Sequence, residues 1–298
     1  MRAMLLASIA LIGAAIFSNA AFADNTEWTN PEPVTIYDYS GPAQDPFIAP
    51  NSPIMLFDSH SNDLTIPSEI FQAYQWDYKT FLNLGMVQGL DPGIKGNPNI
   101  DADGNFYWWT EYFYPFQNLM TSYRGKFNDG IVTDISPVFG ISRQQYLWLT
   151  QSPEISGDGS ILLFGDFRVD TIGVDAKPIS SALTLAMKNS NGSFTQSPFS
   201  SRILASINNA CPIVYNGRMS NDGLELYFTG VVNLAAGSQI YVAKRASTAV
   251  PFDTPAVISI AGQRVENGSL SRDGKHLYYH QMLGSMNADS QIYVLTRP

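Results

Sequence analysis

The chain has 298 residues, a formal net charge of −9, 14% charged residues and a single cysteine. An acidic chain is poorly suited to phosphate backbones or anionic membranes, which need Lys and Arg, so no nucleic-acid partner is expected. One cysteine excludes an intramolecular disulfide and any cysteine-based metal centre, while 15 Tyr, 17 Phe and 5 Trp favour many half-buried strands.

Arg2, the apolar run over residues 5–17 and the small-x-small site Ala21, Phe22, Ala23 form a secretory signal peptide over residues 1–23. The remaining 24–298 reads as one all-β domain, with no later transmembrane segment and a periplasmic or secreted location. A strand over residues 34–39 follows, after a loose leader at 24–33.

From there the chain repeats. A turn residue recurs at Asn51, Asp103, Asp158, Asp222 and Asp273, and Gly follows it in four copies. Asp-Gly is a hairpin turn signal, because Gly accepts positive φ and Asp bonds the turn backbone. Two residues earlier stand Ala49, Asp101, Ser156, Ser220 and Ser271, four of which can close a local side-chain bond. Soon after each turn comes an apolar triplet: Met55, Leu56, Phe57; Tyr107, Trp108, Trp109; Leu162, Leu163, Phe164; Leu226, Tyr227, Phe228; Leu277, Tyr278, Tyr279. Continuous apolar strands are covered on both faces. A repeat near 50 residues made of short strands is a propeller blade.

The expected fold is therefore a five-bladed β-propeller, with blades near 41–92, 93–146, 147–208, 209–262 and 263–298. The third copy carries an insertion over residues 166–181. The last copy has no fourth strand, so strand 34–39 is expected to pair with it and close the ring, removing an exposed edge.

The unit Ser220, Asp222, Gly223, Leu226, Tyr227, Phe228, then Ile240, Tyr241, Val242, resembles the TolB-type, WD-repeat-like propeller repeat. The resemblance implies the fold and leaves the activity open.

The innermost strand of each blade leads into its turn. Six residues before each turn residue stand Asp45, Asn97, Ser152, Asn216 and Asn267, each followed by Pro or Gly. All are short and polar, and around a fivefold axis they make a ring in the channel. Two positions on, on the same face by alternation, are Phe47, Asn99, Glu154, Arg218 and Ser269. The ligand-binding candidates are Asp45, Asn97, Ser152, Glu154, Asn216, Arg218 and Asn267. Such rings also serve simply to satisfy one another and bound water.

Asp45, Pro46, Phe47, Ile48 resembles the Asp-Pro-x-Ile opening of the five-bladed furanosidase and xylosidase families. That resemblance implies Asp45 as general base and a later-blade Glu, here Glu154, as general acid. Inverting hydrolysis holds two such carboxyls across the sugar from each other. Those families carry a further Asp where this chain has Asn97.

No other chemistry is visible. His60, His276 and His280 have no ligand spacing, so no metal is expected. Asp101, Asp103 and Asn105 begin like a calcium loop without its terminal Glu. Neither a nucleophile elbow nor a phosphate loop is present, so no cofactor is expected. The stretch 107–114 is either blade core or an aromatic platform on the rim. Two readings follow. One is an exported, non-catalytic propeller binding a small molecule, glycan or protein at its channel mouth or rim. The alternative is a five-bladed glycoside hydrolase using Asp45 and Glu154.

Overall fold

The computed structural model describes residues 27–29, 31–59, 67–114, 117–141, 145–171, 178–233, 237–262, 264–283 and 290–298, with the side chains of 111–120 outside that description. The expected signal peptide and His60 lie outside the described residues.

Strands β1 (Glu32–Pro33) and β2 (Thr35–Tyr37) precede the first blade, built from β3 (Gln44–Ile48), β4 (Ile54–Asp58), β5 (Ile70–Gln75) and β6 (Thr80–Met86). The second blade holds β7 (Ile94–Ile100), β8 (Asn105–Tyr114), β9 (Gln117–Asn128) and β10 (Ile131–Pro137). The third holds β11 (Trp148–Ile155), β12 (Ile161–Val169), β13 (Pro178–Lys188) and β14 (Phe194–Gln196). Two helical turns, α1 (Ser200–Ile203) and α2 (Ala205–Asn208), lead to the fourth, with β15 (Ile213–Met219), β16 (Glu225–Val231), β17 (Gln239–Lys244) and β18 (Ala256–Val257). The fifth has β19 (Val265–Leu270), β20 (His276–Met282) and β21 (Ser290–Thr296). The five sheets form a five-bladed β-propeller, each with its first strand innermost.

The apolar triplets explain why the blades stack. Successive strand residues point to opposite faces. Met55 and Phe57 pack towards the fifth blade with Tyr278 and Ile292, while Leu56 packs towards the second with Phe106 and Trp108. Tyr107 meets Leu162 and Phe164 of the third blade. Leu163 meets Leu226 and Phe228, and Tyr227 meets Leu277 and Tyr279. The core is thus five interblade layers, and each large side chain contributes about 1.5–3 kcal/mol on burial. Tyr107, Trp108 and Trp109 are core residues.

The hairpin turns are as the repeat implies. In three of them a serine hydroxyl donates to the turn aspartate at 2.6 Å: Ser156 to Asp158, Ser220 to Asp222, Ser271 to Asp273. The same hydroxyls accept from the N–H five residues on, at 2.9 Å. In the second blade Asp101 stands at the serine position and only accepts, from the N–H groups of Asp103 and Asn105.

An N-terminal strand does pair with the last blade, but two details are corrected. The ring is closed by β1, whose Glu32 and Pro33 pair with Val294 and Tyr293 of β21, with Val34 N–H adding a bond to Ile292. Residues 35–37 instead run parallel to β6 on the outer edge of the first blade. The chain switches blades at Val34, so a strand over residues 34–39 that closes the ring is not formed. Nor are residues 27–29 loose. Trp28 meets Tyr227 edge-on at 6.2 Å, Arg297 lies over its ring, and Thr29 N–H bonds Thr296 at 2.8 Å. In the third blade much of 166–181 belongs to the long hairpin of β12 and β13.

Candidate functional site

Each innermost strand carries a bulge at the same point. The ladder skips from Gln44 to Phe47, Gly96 to Asn99, Gln151 to Glu154, Tyr215 to Arg218 and Glu266 to Ser269. The first skipped residues are Asp45, Asn97, Ser152, Asn216 and Asn267, at φ of 50°, 49°, 53°, 48° and 60°. Left-handed backbone favours Asn, Asp and Gly and suits no branched residue. The bulge turns these side chains into the channel and takes their N–H groups out of the ladder.

The structure brings all five together. Ser152 Oγ donates to Asn216 Oδ1 at 2.6 Å, and Asn97 Nδ2 reaches the same oxygen at 3.2 Å. Asn267 Nδ2 donates to Asp45 Oδ1 at 2.7 Å, and Asn97 N–H faces Asp45 Oδ2 at 3.3 Å. Every member is buried. The ring is a self-satisfied polar layer across the channel.

Sequence reasoning missed the side chains that hold it. Asp45 N–H donates to His280 Nδ1 at 3.1 Å, Asn97 N–H to Asp58 Oδ2 at 3.2 Å, and Asn267 N–H to Thr229 Oγ1 at 3.0 Å. In each case the acceptor belongs to the preceding blade and stands seven residues after its turn residue. That recurring polar position was a usable signal. Trp109 Nε1 also donates to Asn97 Oδ1 at 2.5 Å.

The second layer sits towards the turn end of the channel. Arg218 Nη1 donates to Glu154 Oε2 at 2.8 Å, and Arg218 Nε donates to Asn267 Oδ1 at 2.7 Å. The guanidinium lies 5.0 Å from the Phe47 ring centre, a cation–π contact. Asn99 is spent on structure, accepting from Ile155 N–H at 3.0 Å and donating to Pro153 O. Phe47, Glu154, Arg218 and Ser269 line a cavity of about 220 Å³ rimmed by the Asp158 and Asp222 turns. Burial pushes the Glu154 carboxyl up to about 7, and Arg218 pulls against it without prevailing.

Asp45 and Glu154 therefore stand in different layers, connected through Asn267 and Arg218. Among the described residues no group of three or more His, Cys, Asp or Glu could hold a metal ion. Cys211 is buried, with burial raising its thiol. Among the described residues no helix is long and apolar enough to cross a membrane.

No family model and no curated protein match the chain. Its fold is similar to that of the α-L-arabinanase of Cellvibrio cellulosa complexed with arabinohexaose, with TM-score 0.55 and 13% identity over 87% of this chain and 92% of that one. It is also similar to Zg3597, a family 117 glycoside hydrolase of the marine bacterium Zobellia galactanivorans, with TM-score 0.53 and 12% identity over 92% and 91%. TolB of Acinetobacter baumannii matches with TM-score 0.44 and 13% identity, over 86% of this chain and 55% of that chain. At these identities the likeness is one of fold, and it places the chain in the class of five-bladed propellers.

Proposed function

We propose that this protein is an exported glycoside hydrolase of the five-bladed propeller type, acting on a pentose-containing glycan, with Asp45 as general base and Glu154 as general acid. One observation carries the reading. Glu154 lines the cavity and burial raises its carboxyl to about 7, so it holds a proton near neutral pH. Asp45, in contrast, accepts from Asn267 Nδ2 and Asn97 N–H, a setting that suits an acceptor. The Asp-Pro-x-Ile sequence at Asp45 and the fold likeness to an arabinanase point the same way.

In the proposed reaction Glu154 protonates the leaving oxygen and Asp45 takes a proton from the attacking water, inverting the sugar. Arg218 must release Glu154 for this, and the sugar replaces it. Export rests on the charged start, apolar run and cleavage site of residues 1–23.

A non-catalytic glycan binder is the second reading. It is supported by Asn97, which stands where the resembling families carry an acid, and by the Arg218 contact that occupies Glu154.

The test is turnover of aryl α-L-arabinofuranosides, aryl β-D-xylosides and arabinan by wild type, Asp45→Asn and Glu154→Gln. Loss of roughly 100-fold or more in either variant supports hydrolysis. A wild type no faster than the double variant ends that reading, and calorimetric titration with the same glycans then decides for the binder.

A further inference from the structure

A second cavity, of about 380 Å³, opens at the other end of the inner strands. Gln151, Tyr215 and Glu266 line it, and each immediately precedes a ring residue, whereas Glu154 and Arg218 follow theirs by two. The polar ring therefore separates the two cavities.

The walls have two kinds of surface. Phe167 and Tyr215 meet edge-on at 5.9 Å with planes at 63°, which offers an aromatic face for stacked C–H groups. The lining also includes the Arg264 guanidinium, the Gln151 amide and the Glu266 carboxylate, which together donate and accept, with Glu266 and Arg264 beside the Tyr215 phenol. One cation beside one anion leaves the lining near neutral, which suits neither a charged metabolite nor an ion.

Glu266 is held but not saturated. Ser238 Oγ donates to its Oε1 at 2.8 Å, and burial together with Glu266 pushes the Tyr215 phenol well above its usual range. Its Oε2 faces His280 Nε2 at 4.0 Å, too far for a hydrogen bond. His280 is 1% exposed and its Nε2 has no hydrogen-bond partner. Because His280 Nδ1 accepts from Asp45 N–H, the proton of the neutral ring sits on Nε2. A buried donor and a carboxylate oxygen thus face each other across a gap. Glu266 lines the cavity and His280 does not, so a ligand bonded to Glu266 is sensed at His280 through that carboxylate.

We propose that this cavity binds one neutral sugar residue without catalysis, with Glu266 and Arg264 bonding its hydroxyls and the Phe167–Tyr215 wall taking its apolar face. The choice of a sugar rests on the glycan reading above. The site itself uses none of the hydrolytic pair.

With only three histidines in the chain, the ring ¹H–¹⁵N spectrum reports directly on His280. Wild type is titrated with L-arabinose, D-xylose and D-galactose. The expected result is a saturable shift of the His280 resonances, an affinity weakened roughly tenfold by Glu266→Gln, and binding retained in Glu154→Gln. Arg264→Gln, at a half-buried position, decides the matter should Glu266→Gln fail to fold. The proposal is overturned when no sugar moves His280 in wild type, or when the folded variants at Glu266 and Arg264 bind as wild type does. Hydrolysis without a His280 shift sinks this site alone. Because His280 also contacts Asp45, a shift that Glu266→Gln and Arg264→Gln leave unchanged belongs to sugar at Asp45 and sinks this site. A shift they weaken without any hydrolysis sinks only the catalytic reading.

Discussion

Arg218 and Glu154, from neighbouring blades, form an ion pair at 2.8 Å with side chains 5% and 8% exposed. Taking both charges out of water is costly, so the pair is worth little over apolar packing, yet breaking it strands a charge. Arg218→Met is expected to lower stability at pH 8 by about 3–5 kcal/mol. The loss should shrink in acid, where Glu154 takes a proton, and Arg218→Met with Glu154→Leu should recover most of it. Urea melts at two pH values check this. A pH-independent loss would point to packing of Arg218 on Phe47 instead.

The Glu154 carboxyl is raised from its ordinary 4.5 to about 7, chiefly by burial. A folded-state value above the unfolded one binds protons more tightly in the native protein. The resulting stability is fully present below about 4.5 and is lost as pH rises through about 7. Wild type should therefore lose stability relative to Glu154→Gln across that window, measured as paired melting temperatures. If Glu154 is the general acid, kcat should fall above the same value. A constant difference between the two melting curves would show that the carboxyl is not shifted.

Ser152 sits at φ 53° and bonds both Asn216 and Asn97. Ser152→Val should therefore cost roughly 1–3 kcal/mol more than Ser152→Gly, because the branched residue adds backbone strain to the lost hydroxyl. Equal losses in guanidinium denaturation would mean that the bulge relaxes.

A chain that begins at Val34 loses the Glu32 and Pro33 pairing to β21 and the Glu32–Lys79 ion pair. It leaves β21 as an unpaired edge. Calorimetry should show a lower, less cooperative transition, and light scattering should show concentration-dependent association. An unchanged melting temperature would place the closure elsewhere.

The short polar residues of the inner strands and the turns were legible because each is a local event repeated five times, whereas the bulge that turns those residues into the channel was not. The apolar triplets were legible for the same reason, since alternation sends neighbours to opposite blades. His280 was marked only by its place seven residues after a turn residue; its bond to Asp45, 235 residues away, was not legible. Neither was the reach of Arg218 to Glu154 and Asn267, which depends on how two layers from three blades overlap. The switch of the N-terminal segment between blades at Val34 was equally hidden, since residues 32–33 and 35–37 are both short extended runs.

By itself the sequence determined the number of blades, the strand that faces the channel and the residues that stand in it. Only the tertiary structure decided which strand closes the ring, which side chains satisfy the ring's backbone, and that two cavities lie on either side of it. Periodic backbone chemistry is written residue by residue along the chain. Contacts between blades exist only once the circle has closed and brought its first and last strands together.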